Sequence, residues 1–167
     1  MSEQHRFECH LRWTGAGANA PLNEPGPVIG ANAFTYDSYS RDLRVSFIDK
    51  PALEMSGAPA FKGDLMRHNP EDLMMAALSA CHALTYLAVA ARSRIEVLAY
   101  EDRATGILAK IDGPMRFTEA TLHPRVTVKA GTDLARAKEL HAKAHQNCFI
   151  AQSVNFPVHI EPVIIEG

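Results

Sequence analysis

The sequence predicts an α+β fold: antiparallel sheets around one long, buried, central helix, in a single domain spanning residues 1–167. Two observations carry this. From Leu73 to Ala91 the chain has no Asp, Glu, Lys or Arg, and a helix that is apolar all round is buried on all sides. Strand-like stretches stand on both sides of that run, in the order strands, helix, strands, helix, strand, which does not suit a parallel doubly wound sheet.

The central helix has a full start signal. Asn69 can cap it, Pro70 fits the first helical position, and Glu71 and Asp72 suit the positive end of the dipole. Arg92 and Arg94 suit the other end. The uncharged run is about as long as a minimal membrane span. Its Ser79, His82, Thr85 and many alanines are weakly hydrophobic, however, so burial by sheet or by a second subunit is the better expectation.

Before the helix, Phe7–Trp13, Phe34–Tyr39 and Leu43–Ile48 read as strands. In the last of these Leu43, Val45 and Phe47 alternate with Arg44 and Ser46. Thr14 to Asn32 is rich in Gly, Pro, Ala and Asn and reads as a loop. Pro51 to Asn69 leaves room for one short strand, Ala52–Met55. After the helix, Ile95 to Ile111 suits one or two strands, and Asp112-Gly113-Pro114 is a turn signal. Phe117 to Lys129 reads as one long strand. Gly131-Thr132-Asp133 opens a second helix, Leu134–Asn147, whose apolar stripe is Leu134, Ala137, Leu140, His141, Ala144 and Cys148. Val158 to Ile165 reads as the closing strand.

The chain has 167 residues and a formal net charge of −2. That balance gives no electrostatic case for nucleic acid or an anionic membrane. The polar start MSEQHRFECH lacks the apolar core of a signal peptide, so a cytoplasmic location is expected. Three cysteines in such a chain are not a disulfide scaffold.

Cys81 lies in the first helix and Cys148 at the end of the second. Each reads as a small buried hydrophobe or as part of a thiol pair, one attacking and one resolving. The second reading needs a cationic neighbour, because an apolar pocket alone raises a thiol pKa. His141, His145 and Cys148 share a helical face and could bind zinc, against the plainer reading of a polar helix shoulder. Cys9, with His5 and His10 nearby, reads as a packing residue. No nucleophile elbow, P-loop or dinucleotide fingerprint is present.

Three segments resemble the OsmC/Ohr family of osmotically inducible and organic hydroperoxide resistance proteins. Asn69-Pro70-Glu71-Asp72-Leu73 followed by Ala80-Cys81 is similar to the family's N-P-E-x-L and A-C on the central helix. Ala144-His145-Gln146-Asn147-Cys148 resembles the segment around its second cysteine, and Arg41-Asp42 the R-D of the hydroperoxide resistance branch. The resemblance implies a thiol peroxidase acting on organic hydroperoxides. Cys81 would be peroxidatic and Cys148 resolving. Arg41 would hold the thiolate and Glu71 would orient Arg41. It also implies an intertwined homodimer. Reduction of the disulfide would require an external dithiol, and no cofactor is expected. The chain departs from the pattern at His82, where an aromatic residue is common, and at Phe149-Ile150-Ala151. Two other readings are a non-catalytic ligand-binding or stress-interaction protein of the same fold, and the zinc module.

The residues themselves suit the implied chemistry. Met74, Leu78 and Leu84 around Cys81 favour an organic hydroperoxide over hydrogen peroxide. Glu71 and Cys81 stand ten residues apart, about 15 Å along a helix axis and roughly 80° apart around it. An antiparallel partner helix could bring the other chain's glutamate beside the cysteine.

Overall fold

Long strand segments that break at matching points build the sheets of this protein, here described from a computed structural model. The structure describes residues 4–13 and 35–167. The chain forms two compact units, Met1–Leu73 and Met74–Gly167.

In the first unit β1 (His10–Trp13), β2 (Leu43–Phe47) and β3 (Lys50–Met55) form an antiparallel sheet in chain order. Val45 and Met55 are its buried apolar residues. Arg67 lies between the carboxylates of Glu54, at 3.3 Å, and Asp64, at 3.4 Å. The expected strand at Phe34–Tyr39 is instead a turn over the described residues. Ser38 and Tyr39 both donate their N–H groups to the Thr35 carbonyl, and the Thr35 and Ser38 hydroxyls meet at 2.7 Å. Hydroxyl side chains that bond locally draw the backbone out of extended pairing. The expected loop Thr14 to Asn32 lies outside the described residues.

The long helix α1 (Pro70–Arg92) starts in this unit and continues into the second. Asp72 N–H donates to Asn69 Oδ1 at 2.9 Å, and Asn69 N–H donates to Asp72 Oδ2 at 3.2 Å. This is a capping box with Asp at its third position. At the other end Ile95 N–H reaches the Ala90 carbonyl and Arg94 N–H the Ala91 carbonyl, with Arg94 at φ 60°. That is a Schellman stop with arginine where glycine is usual.

In the second unit β4 (Val97–Glu101), β7 (Arg125–Val128) and β9 (Val163–Glu166) form one sheet. The strands β5 (Thr105–Ala109), β6 (Arg116–Leu122) and β8 (Val158–Ile160) form another. The stretches read as Phe117–Lys129 and Val158–Ile165 are each two strands. The breaks fall at His123-Pro124 and Glu161-Pro162, because proline cannot donate to a ladder. The third break lies between β4 and β5, at Asp102. The breaks are stitched together: His123 N–H donates to Asp102 Oδ1 at 2.7 Å, Glu161 N–H to the Leu122 carbonyl and Val163 N–H to the Pro124 carbonyl. The pairings β6–β8 and β7–β9 are parallel, so these sheets are mixed rather than purely antiparallel. Parallel pairing follows from the crossover through α2 (Leu134–Asn147), which returns the chain in the same direction.

The core of this unit joins α1, α2 and β7. Tyr86 and Ala90 of α1 pack with Val126 and Val128 of β7 and with Ala137 and Ala144 of α2. A second cluster joins Leu78 of α1 to Ala120 and Leu122 of β6. Gly106 of β5 lets Met75 approach closely, since a Cβ there would stand 2.6 Å from its sulfur. Burial of α1 is therefore one-sided in the single chain. Leu78, His82, Tyr86, Val89 and Ala90 are buried, whereas Leu84 is 69 % exposed, and Met74 and Leu87 are also open. By length and composition α1 would suffice to cross a membrane. Its buried stripe packs on sheet and helix instead.

Candidate functional site

Two helices bring the site together. Cys81 sits near the middle of α1, and its thiol is partly accessible. Cys148 is the residue at which α2 stops, in extended conformation, with its N–H on the His145 carbonyl at 3.3 Å. Asp133 caps the other end of α2 by accepting from Arg136 N–H at 3.0 Å, so the helix length fixes where Cys148 falls. The Cys148 thiol is fully buried and donates to Cys81 Sγ at 2.8 Å. Ile150 N–H also points at Cys81 Sγ, at 3.5 Å.

The two thiols differ in environment. Burial, then the hydrogen bond to Cys81, pushes the Cys148 thiol up to about 11. Cys148 is therefore a protonated donor at neutral pH, and Cys81 is the sulfur that receives its hydrogen bond. Thr85 Oγ1 donates to the Cys81 carbonyl at 2.8 Å, closing a local bond on the same helix.

The same two helices also meet in a polar cluster that the sequence did not announce. His82 Nε2 and His141 Nδ1 are 2.9 Å apart, and both rings are buried. Tyr86 stacks on His141 with ring centroids 3.9 Å apart, and its hydroxyl donates to the Ala137 carbonyl. Burial, then His145, lowers His82 to about 4, with Asp102 acting in the opposite direction. Burial, then His82, lowers His141 to about 3. Both are neutral at physiological pH. Burial, followed by Asp102, holds the Tyr100 phenol well above its ordinary range. The one signal in the sequence was His141 inside an otherwise apolar stripe.

The structure does not gather His141, His145 and Cys148 into one ligand set. Among the described residues no three His, Cys, Asp or Glu side chains are grouped to hold a metal ion. His141 turns its Nδ1 to His82, and Cys148 turns its sulfur to Cys81.

The other residues expected at the site belong to the first unit. Arg41 donates to the carbonyls of Tyr39, at 2.6 Å, and of Tyr36. Its guanidinium lies 3.8 Å from the Tyr39 ring centroid. Glu71, in the first turn of α1, has its Oε2 buried and without a hydrogen-bond partner among the described residues. Cys9 is exposed.

The profile of the OsmC-like protein family matches residues 62–163, which hold Cys81 and Cys148, helices α1 and α2 and the paired histidines. The chain belongs to the OsmC-like family. Its fold matches that of an OsmC-like protein of unknown function from Vibrio cholerae, with a TM-score of 0.81 and 29% identity, over 96% of this chain and 100% of that one. An organic hydroperoxide resistance protein from Elizabethkingia anophelis shares the fold at a TM-score of 0.69 and 17% identity, over the whole of both chains. An uncharacterized protein of Bacillus subtilis, YmaD, is 25% identical over 160 residues, which is 94% of this chain and 91% of that protein. The family assignment agrees with the resemblance seen in the sequence motifs.

Proposed function

We propose that this OsmC-like protein is a two-cysteine thiol peroxidase that reduces organic hydroperoxides. The observation that carries the reading is the asymmetric pair: a partly accessible Cys81 accepting a hydrogen bond at 2.8 Å from a fully buried Cys148. The accessible sulfur attacks the distal peroxide oxygen as thiolate. The O–O bond breaks, the alcohol leaves with a proton, and Cys81 becomes a sulfenic acid. Cys148 then attacks that sulfur. A Cys81–Cys148 disulfide forms, and the hydroxyl leaves as water with the Cys148 proton. An external dithiol returns the pair to thiols by exchange.

Arg41 supplies the cation for the Cys81 thiolate in this reading, and Glu71 orients Arg41, as the family motifs imply. A guanidinium suits the task because it stays charged and offers several donors. The working unit is a homodimer in the cytoplasm, and no cofactor takes part. The apolar side chains along α1 near Cys81, Leu78 buried and Met74 and Leu84 open, suit an alkyl or aryl peroxide.

The test is mass spectrometry after one equivalent of an organic hydroperoxide is added to the reduced protein. The expected product has lost two hydrogens per chain and yields one cross-linked peptide pair containing Cys81 and Cys148. Recovery of both cysteines as free thiols would sink the peroxidase reading and leave a non-catalytic binding protein of the same fold.

A further inference from the structure

We propose that the His82–His141 pair is a positioning device that sets the approach of Cys148 to Cys81. The inference rests on the thiol-pair reading above and assigns a task to two residues that the chemistry does not otherwise use.

The pair joins the two cysteine-bearing helices through a buried hydrogen bond, as the thiols do through theirs. His82 follows Cys81 directly on α1. His141 lies two turns before Cys148 on the buried face of α2. The rest of that face is small: Ala137 and Ala144 are its other fully buried helical residues. Alanines let helices approach but interlock poorly, so they leave sliding and rotation loosely fixed. A directional hydrogen bond of 2.9 Å between two buried rings fixes both. The stack of Tyr86 on His141, and the Tyr86 hydroxyl on the Ala137 carbonyl, tie the same turn of α2 to α1 again.

The arrangement is poor for stability alone. His82 Nδ1 and His141 Nε2 are buried and have no partner among the described residues. A half-satisfied buried polar pair is generally less stable than apolar groups of the same shape. Its value lies in register. Cys148 resolves a sulfenic acid only while its sulfur stays in contact distance of Cys81, and misplacement by about 1 Å can cost on the order of a hundredfold in rate.

The test compares His82→Phe with His141→Gln. The first keeps a ring against His141 and loses the hydrogen bond. The second keeps a side chain that can donate or accept, and loses the ring. Two measurements separate positioning from mere packing. In the first, the thiol–disulfide equilibrium of the Cys81–Cys148 pair is titrated in a glutathione redox buffer, which needs no peroxide. His82→Phe should shift the equilibrium constant toward the dithiol by roughly tenfold or more, and His141→Gln should recover part of that shift. In the second, a sulfenic acid trap such as dimedone competes with resolution after one equivalent of hydroperoxide. His82→Phe should consume peroxide at a rate within about twofold of the unsubstituted protein, yet yield trapped Cys81 in place of disulfide.

An equilibrium constant in His82→Phe within twofold of the unsubstituted value would overturn the inference. So would equal slowing of both chemical steps. Should His82→Phe fail to fold, the double variant His82→Phe/His141→Phe leaves no orphan nitrogen and carries the same expectations. Failure of the peroxidase reading appears separately, as a normal glutathione titration shift with no reaction toward hydroperoxide.

Discussion

Ser79 Oγ donates to Asp102 Oδ2 at 2.5 Å, and the other oxygen of Asp102 receives the His123 N–H at 2.7 Å. One carboxylate thus ties α1, two residues before Cys81, to the corner where β4–β5 and β7–β6 both break. Hydrogen bonds to a charged group contribute about 1.5–3 kcal/mol each, and removing the acceptor strands the donors. Asp102→Ala should therefore destabilise the protein by about 2–4 kcal/mol. Urea unfolding followed by circular dichroism reads this as a lowered midpoint. A change under about 0.5 kcal/mol would mean the corner is held without the carboxylate.

The three cysteines should behave differently. Cys81→Ser should abolish dithiol-dependent peroxide consumption. Cys148→Ser should consume roughly one equivalent and then stall, as a sulfenic acid or a higher oxide. Cys9→Ser should leave turnover nearly intact, since Cys9 is exposed and the thiol pair is formed by Cys81 and Cys148. Sustained turnover by Cys148→Ser would remove it from the resolving role.

Arg41→Ala should slow the first chemical step at neutral pH. In the structure its guanidinium is gathered by the Tyr36 and Tyr39 carbonyls and lies over the Tyr39 ring, so its direction is set by its own loop. Rapid-mixing measurement of peroxide consumption in a single turnover is the check. An unchanged rate would transfer the cationic role to another arginine, with Arg44, Arg12 and Arg67 next.

The buried histidines make the fold acid-sensitive. Both have folded-state pKa values below the ordinary 6.5, near 4 for His82 and near 3 for His141. As pH falls below about 6.5 the unfolded chain binds protons that the folded chain refuses. The stability tied to keeping the pair neutral is therefore complete above the ordinary histidine pKa and is lost as pH drops from about 6.5 through about 4 for His82 and about 3 for His141. The slope is at most about 1.4 kcal/mol per pH unit for each histidine. The groups around them act on this slope: His145 adds to it and Asp102 opposes it. Urea midpoints at several pH values should fall more steeply for the native chain than for His82→Phe/His141→Phe. Parallel curves would mean that the pair protonates without unfolding.

Much of this arrangement was legible in the residues. Both helices were, because each carries its own start signal: Asn69 with Pro70 and Asp72, and Asp133 after Gly131. The breaks at Pro124 and Pro162 were harder. Apolar alternation runs across both prolines, and only the sheet corner makes them breaks. The strand expected before Tyr39 gave way to hydroxyls that bond their own backbone. At the site, the pairing of Cys81 with Cys148 was implied by family resemblance and not by spacing, since 67 residues separate them. The His82–His141 contact was hidden for the same reason. Helical periodicity put His141 on the right face of α2 but could not show that α1 would meet it there, so the face read as a polar shoulder, with zinc ligands as the lesser alternative.

The last prediction concerns the second copy of the chain. In one chain α1 leaves Leu84, Met74 and Leu87 open along the side away from its own core. An apolar helix with one uncovered face calls for a partner. Glu71 gives a second reason. It stands ten residues before Cys81 on α1, about 15 Å along the axis, and its Oε2 is buried with no hydrogen-bond partner among the described residues. If an antiparallel α1 from a second copy covers the open face, that copy's glutamate comes to the neighbourhood of Cys81, and each site draws on both chains. Mixing Cys81→Ser with Glu71→Ala protein tests this directly. Each parent has two defective sites. In a shared-site heterodimer one site unites an intact Cys81 with an intact Glu71, and the other collects both defects. Peroxidase activity should therefore return on mixing, to at most about half the native value per heterodimer. Subunit exchange is verified independently by mass spectrometry of differently tagged chains. Exchange without any recovery would put Glu71 and Cys81 in the same chain's site and end the shared-site reading.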